Sequence, residues 1–276
     1  MAHGAHSWSA QSRLLSGRLG SPLGAGLPDD GLFATAGDAR SADREVHFVD
    51  TCFSTHHLQF AYDDDNTLWS SGDRQVVGWL NTKIFDETGD AAKAQGWSPL
   101  VLDTNENGRR DAWVEPGNEP NPELDTRVAN RFYAVMPSPA DGSVWGSNTF
   151  SYPGSITRYD PEPGLAETYN PPLPGFGIRG ADIDTNGVIW ASLGSGHLGE
   201  FDRRKCKGPL NGPQATGDHC PEGWTLHDLP GPPFPRRPGS AWNPATTPGW
   251  ISTTRSDSAT MCPSSREIYS TASTRS

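Results

Sequence analysis

One arrangement of residues recurs three times along this chain. A turn rich in Asp and Asn leads into a strand centred on Trp, and a second strand then ends on Asp. The three copies are Tyr62-Asp63-Asp64-Asp65-Asn66-Thr67-Leu68-Trp69, Pro139-Ala140-Asp141-Gly142-Ser143-Val144-Trp145 and Asp184-Thr185-Asn186-Gly187-Val188-Ile189-Trp190. Each is followed 12 to 17 residues later by an aromatic residue and Asp: Phe85-Asp86, Tyr159-Asp160 and Phe201-Asp202. Trp145 and Trp190 lie 45 residues apart. A unit of that length, alternating turn and strand, predicts an all-β fold, a β-propeller with one blade per repeat. Three blades are legible where propellers have at least four, so the expected propeller is incomplete. The repeating Trp is expected to pack between neighbouring sheets, because a ring that size has large apolar area to hide.

Composition agrees with strands over helices. The 276 residues include 31 Gly, 25 Pro and ten Trp, and apolar runs are short. Such a chain reads as strands joined by tight turns. A formal charge of −11 gives no electrostatic reason to bind nucleic acid, whose phosphates call for clustered Lys and Arg. The run Arg203-Arg204-Lys205-Cys206-Lys207 is too short to change that. No stretch approaches 18 apolar residues, so no membrane-spanning helix is expected. The N-terminal segment shows no export signal, because Ser, Gly and Arg interrupt Leu14, Leu15 and Leu19.

Residues 1–46 read as a flexible arm and 47–240 as the blades, with an insertion at about 87–130 where Trp69 and Trp145 stand 76 residues apart. From Ala241 to Ser276 the chain is rich in Ser and Thr and reads as a disordered tail.

Three groups of residues could carry chemistry. In Asp103-Thr104-Asn105-Glu106-Asn107-Gly108-Arg109-Arg110-Asp111, oxygen-bearing side chains fall at positions 1, 3, 5 and 9 around a Gly at 6. That spacing matches the first part of a calcium loop, with Asp103, Asn105, Asn107 and Asp111 as ligands. The match stops at position 12, which is Val114, and an Asx-rich surface turn is the alternative. His56, His57 and His197, with Glu200 or Asp182, form the second group. They could hold a divalent ion or supply a general base. Neighbours on a strand point to opposite faces, so only one of His56 and His57 is expected at a common site. Third, Cys206 and Cys220 bracket a loop rich in Gly and Pro, which suits a local disulfide as well as two free thiols. A zinc site there would find only His219 nearby. No nucleophile elbow, zinc-protease helix, phosphate loop or dinucleotide fingerprint is present.

The stretch from Phe48-Val49-Asp50-Thr51-Cys52-Phe53-Ser54-Thr55-His56-His57 to about Pro232 resembles a bacterial family of exported proteins. The most telling segments are His197-Leu198-Gly199-Glu200-Phe201-Asp202 through Pro213 and His219-Cys220-Pro221-Glu222-Gly223-Trp224-Thr225. The family's propeller domain looks like that of streptogramin B lyase, and its members are often labelled carboxypeptidase regulatory-like. The resemblance covers about two thirds of the chain, which looks like a truncated member. It implies a periplasmic or extracellular location and favours the Cys206–Cys220 disulfide. In the lyase, histidines and an acidic residue hold magnesium while a cyclic lactone is opened by elimination. The resemblance does not fix those roles on His56, His57 or His197. The expected function is a recognition or scaffold module for a small molecule, a glycan or an envelope protein. The alternative is a lyase or lactone hydrolase dependent on a divalent metal.

Overall fold

The computed structural model describes residues 35–39, 46–51, 53–71, 75–149 and 151–230. The expected N-terminal arm lies largely outside the described residues, and the expected tail at 241–276 lies wholly outside them. Strands β1 (Thr35–Ala39) and β2 (Val46–Asp50) form an antiparallel ribbon. An antiparallel meander follows: β3 (Leu58–Phe60), β4 (Thr67–Ser70), β5 (Val76–Asn81) and β6 (Gln95–Pro99). Between β5 and β6 lie two short helices, α1 (Thr82–Thr88) and α2 (Ala91–Ala94). Then come β7 (Val101–Leu102), β8 (Trp113–Val114) and β9 (Asp125–Arg127). A second meander comprises β10 (Val135–Pro137), β11 (Val144–Asn148), β12 (Ser155–Asp160) and β13 (Leu165–Tyr169). The third is β14 (Ile178–Ile183), β15 (Ile189–Leu193), β16 (His197–Phe201) and β17 (Trp224–Asp228).

The all-β reading stands, but the β-propeller does not. The described strands form the ribbon and three larger sheets, and no sheet closes into a barrel or curls as a propeller. The second meander is not a separate blade. Its edge strand β13 takes β7 as a parallel neighbour, and β9 and β8 extend the sheet to seven strands in the order β10-β11-β12-β13-β7-β9-β8. The repeat encodes an antiparallel meander, which is a local property. How meanders join depends on the segments between them, and here residues 100–128 fuse onto an edge.

What the repeated turn does is visible in the backbone. Asn66, Gly142 and Gly187 each stand three residues before the repeat's Trp, and all three adopt positive φ (49°, 73° and 79°). Gly, and to a lesser degree Asn, tolerates that conformation. The Asp nearby fixes the turn by accepting backbone N–H groups: Asp63 from Thr67, Asp141 from Ser143, and Asp184 from Asn186 and Val188. Phe85-Asp86 departs from the pattern, because it lies in α1 rather than ending a strand. The Asn81 side chain accepts from Ile84 N–H at the start of that helix, and Gly89 in the left-handed region ends it.

Two of the three Trp residues pack between sheets. Trp69 lies with Val77, Leu100, Phe132 and Tyr159 between the first meander and the central sheet. Trp145 lies with Tyr169, Ile178, Phe201 and Trp224 between the central sheet and the third. Each ring hides roughly 150–250 Å², an upper-bound contribution of about 4–6 kcal/mol at about 25 cal/mol/Å². Trp190 differs: it is partly exposed, stacked on His227, and its Nε1–H donates to Asp184.

Candidate functional site

A serine two residues after each repeat Trp places the candidate site. Ser71 and Ser147 are both 0% exposed. The Ser71 hydroxyl accepts from His57 N–H (2.9 Å) and donates to the carbonyl of Tyr133 (2.8 Å). The Ser147 hydroxyl accepts from Ala134 N–H (3.1 Å) and donates to the carbonyl of Arg179 (2.6 Å). Each therefore ties the second strand of one meander to the chain entering the next. Ser192, the third, stays within its own sheet and donates to Gly180. These ties bring His56, His57, Tyr133 and Arg179 side by side, though they come from three meanders.

The cluster gathers two imidazoles, a phenol ring and a guanidinium. The two imidazoles meet edge to face, with ring centroids 4.4 Å apart and Nδ1 atoms 3.0 Å apart. Both rings also contact Tyr133, at 5.0 and 4.8 Å. The Arg179 guanidinium lies 5.5 Å from the centre of the same Tyr ring, on an exposed residue. His57 Nδ1 hydrogen-bonds the Tyr133 carbonyl. A carbonyl oxygen only accepts, so Nδ1 is the donor in this bond, and in the neutral ring Nε2 is then the nitrogen with the lone pair. Both histidines reach the cluster, contrary to the alternation argument, which applies within a strand; they precede β3.

The other candidates lie elsewhere. His197 bonds Ser195 (2.9 Å) and faces Asp228 (3.3 Å). Glu200 accepts from Lys205 (3.1 Å) and pairs with His227 (2.9 Å), and hydrogen bonds from these two hold its carboxyl below the usual range. Three residues apart on β16, His197 and Glu200 point to opposite faces of the sheet. Neither makes a hydrogen bond or ion pair with His56 or His57 among the described residues. The recognition or scaffold role was drawn from a propeller's central face and falls with the propeller. Cys206 and Cys220 are disulfide-bonded, and the loop they close donates from Gly212 N–H to the Asp103 carbonyl and accepts from Asn170 N–H at Gly217.

In the acidic loop, Asp103 accepts from the N–H groups of Asn107 (3.1 Å) and Gly108 (2.9 Å). The Asn105 and Asn107 amides both donate to Asp111, and these bonds hold its carboxyl below the usual range. Asp125 on β9, which the motif does not include, accepts from Asp111 N–H (2.8 Å). Burial pushes its carboxyl up, and the charges of Asp103 and Asp111 add to the shift. Separately, a cleft of about 580 Å³ lies at the far ends of β3 and β10, lined by Trp69, Trp79, Tyr159, Asp65, Lys93 and Glu162. None of the sequence-derived candidate residues lines it.

No family model and no curated protein matches the chain. Among solved structures it is similar to virginiamycin B lyase from Staphylococcus aureus, at 12% identity and a TM-score of 0.36, over 72% of this chain and 64% of that one. A catalytically inactive form of that lyase with quinupristin gives 12% identity and 0.33, with 72% and 64% covered. A streptogramin B lyase structure gives 13% and 0.32, with 72% and 63% covered. The chain spans less than two thirds of the length of these proteins. The likeness is distant. Among the described residues no helix is long and apolar enough to cross a membrane, which leaves β-barrels unaddressed.

Proposed function

We propose that this protein is a lyase that opens a cyclic ester by proton transfer, with His57 as the base. The observation that supports it is the bond from His57 Nδ1–H to the Tyr133 carbonyl, which in the neutral ring makes Nε2 the nitrogen with the lone pair. Nε2 takes a proton from the carbon next to a carbonyl. The freed electron pair forms a C=C bond, the ester C–O bond breaks, and the ring opens as a carboxylate. Arg179, which makes no ion pair among the described residues, faces the negative charge that develops. His56 and Tyr133 fix the orientation of the base.

The lyase resemblance implies magnesium, but the residues at this cluster do not fit it. Among the described residues they offer two imidazoles joined to each other and no carboxylate bonded to either, beside a guanidinium whose charge repels a cation. No step here is routed through a metal. The Cys206–Cys220 disulfide supports a place in an oxidising compartment, periplasmic or extracellular. The test uses virginiamycin B as probe, with products read by chromatography and mass spectrometry. Elimination gives a ring-opened product of unchanged mass. No turnover, or a product heavier by one water, would overturn the assignment.

A further inference from the structure

The register of β7 against β9 sets an electrostatic problem. Val101 pairs with Arg127 and Leu102 with Thr126, so the next antiparallel positions are Asp103 and Asp125. They are 2% and 0% exposed. Like charges directly opposite in an antiparallel pair repel, and burial removes the water that would screen them. Asp111 enters from the other side, with its backbone on the Asp125 carboxylate. One oxygen of Asp125, Oδ1, is buried with no hydrogen-bond partner among the described residues, while the Asp111 and Thr104 amides lie on the rest of that carboxylate. A buried carboxylate oxygen without a donor, on a strand position opposite Asp103 and beside the Asp111 backbone, calls for a cation.

We propose that the loop Asp103–Asp111 binds one calcium ion together with Asp125, which supplies from β9 the carboxylate that Val114 at loop position 12 cannot. The donors are all oxygens on a loop that turns at Gly108, which suits a hard cation with a large and adaptable shell, calcium over zinc or magnesium. As the loop stands, no three acidic, His or Cys side chains close on one point among the described residues. The Asn105 and Asn107 amides spend their N–H groups on Asp111 instead. Binding requires them to turn their carbonyl oxygens inward, away from the N–H groups of Asn107 and Arg109 from which these oxygens now accept.

The test is titration of the full chain with calcium chloride by calorimetry, paired with thermal melts and far-ultraviolet circular dichroism. The wild type and E119Q, an exposed acid outside the loop, should each take one equivalent. At 100 times the dissociation constant, calcium should raise the folded-to-unfolded ratio roughly 100-fold. D125N and D103N should weaken binding more than about 100-fold, beyond the 10–100-fold cost of altering an outer-shell partner. Without calcium, D125N should melt no lower than wild type, because it removes a repulsive charge. That result separates a ligand from a structural carboxylate. Absence of calcium heat and of any thermal shift in the wild type would overturn the proposal. So would D125N binding like the wild type, or magnesium giving the same response.

Discussion

Replacing Ser147 with Ala tests how the candidate site is assembled. The substitution removes one methyl-sized polar group from a position with no exposure and leaves the apolar packing unchanged. The Ala134 N–H, itself buried, loses its acceptor, while the Arg179 carbonyl sits on an exposed residue where water can replace the lost donor. One buried donor left unpaired costs about 1–3 kcal/mol, and the lost bond itself nets about 1 kcal/mol. S147A should therefore cost about 2–3 kcal/mol. S71A should cost less, about 1–2 kcal/mol, because the Tyr133 carbonyl keeps its bond from His57 Nδ1. S192A removes an exposed hydroxyl and should stay within about 0.5 kcal/mol. Urea unfolding at matched m values measures all three, and S147A should lower Tm by roughly 4–12 °C. Equal costs for S147A and S192A, or a cost for S147A below about 0.5 kcal/mol, would refute the view that these hydroxyls join the sheets.

Three further outcomes follow from side-chain contacts. E167Q should destabilise by about 2–4 kcal/mol, because Glu167 is gripped by Arg203 at 2.6 and 2.7 Å and accepts from Tyr169 Oη at 2.5 Å; a loss under about 1 kcal/mol in thermal melts would show the network to be dispensable. G146A should cost about 1–3 kcal/mol or more, since a Cβ there overlaps the fully packed Phe132 ring, and a neutral result in denaturant melts would mean the ring has room to move. Burial raises the Asp141 carboxyl, but hydrogen bonds from Ser143, Ser138 and Arg158 outweigh it and bring the pKa down to about 2. Its contribution is thus present above the usual carboxylate range and lost as pH falls toward about 2. The group is partly exposed, so the loss is at most about 1 kcal/mol; D141N should flatten that acid limb in pH-dependent melts, and an unchanged limb would contradict the assignment.

The three meanders were legible because each is written locally, in a turn with positive φ three residues before a Trp. Their assembly was not, since the pairing of β13 with β7 joins residues 60 or more positions apart and leaves no periodic trace. The candidate site was half legible. His56 and His57 carry their chemistry in their side chains. Tyr133 and Arg179 are marked only by the serine ties, and the recurrence of Ser71, Ser147 and Ser192 two places after Trp was the one signal that could have found them. Asp125 was invisible for the same reason: the motif reads along the chain, while β9 reaches the loop across it.

The central claim is that His57 moves the proton. The most direct measurement compares lactone-opening rates of the wild type with H57Q and H197Q, each checked for folding by circular dichroism. H57Q should lose about 10²- to 10⁴-fold in kcat. H197Q, whose side chain is engaged with Ser195 and Asp228, should stay within a few-fold. A folded H57Q protein turning over at the wild-type rate would contradict the account.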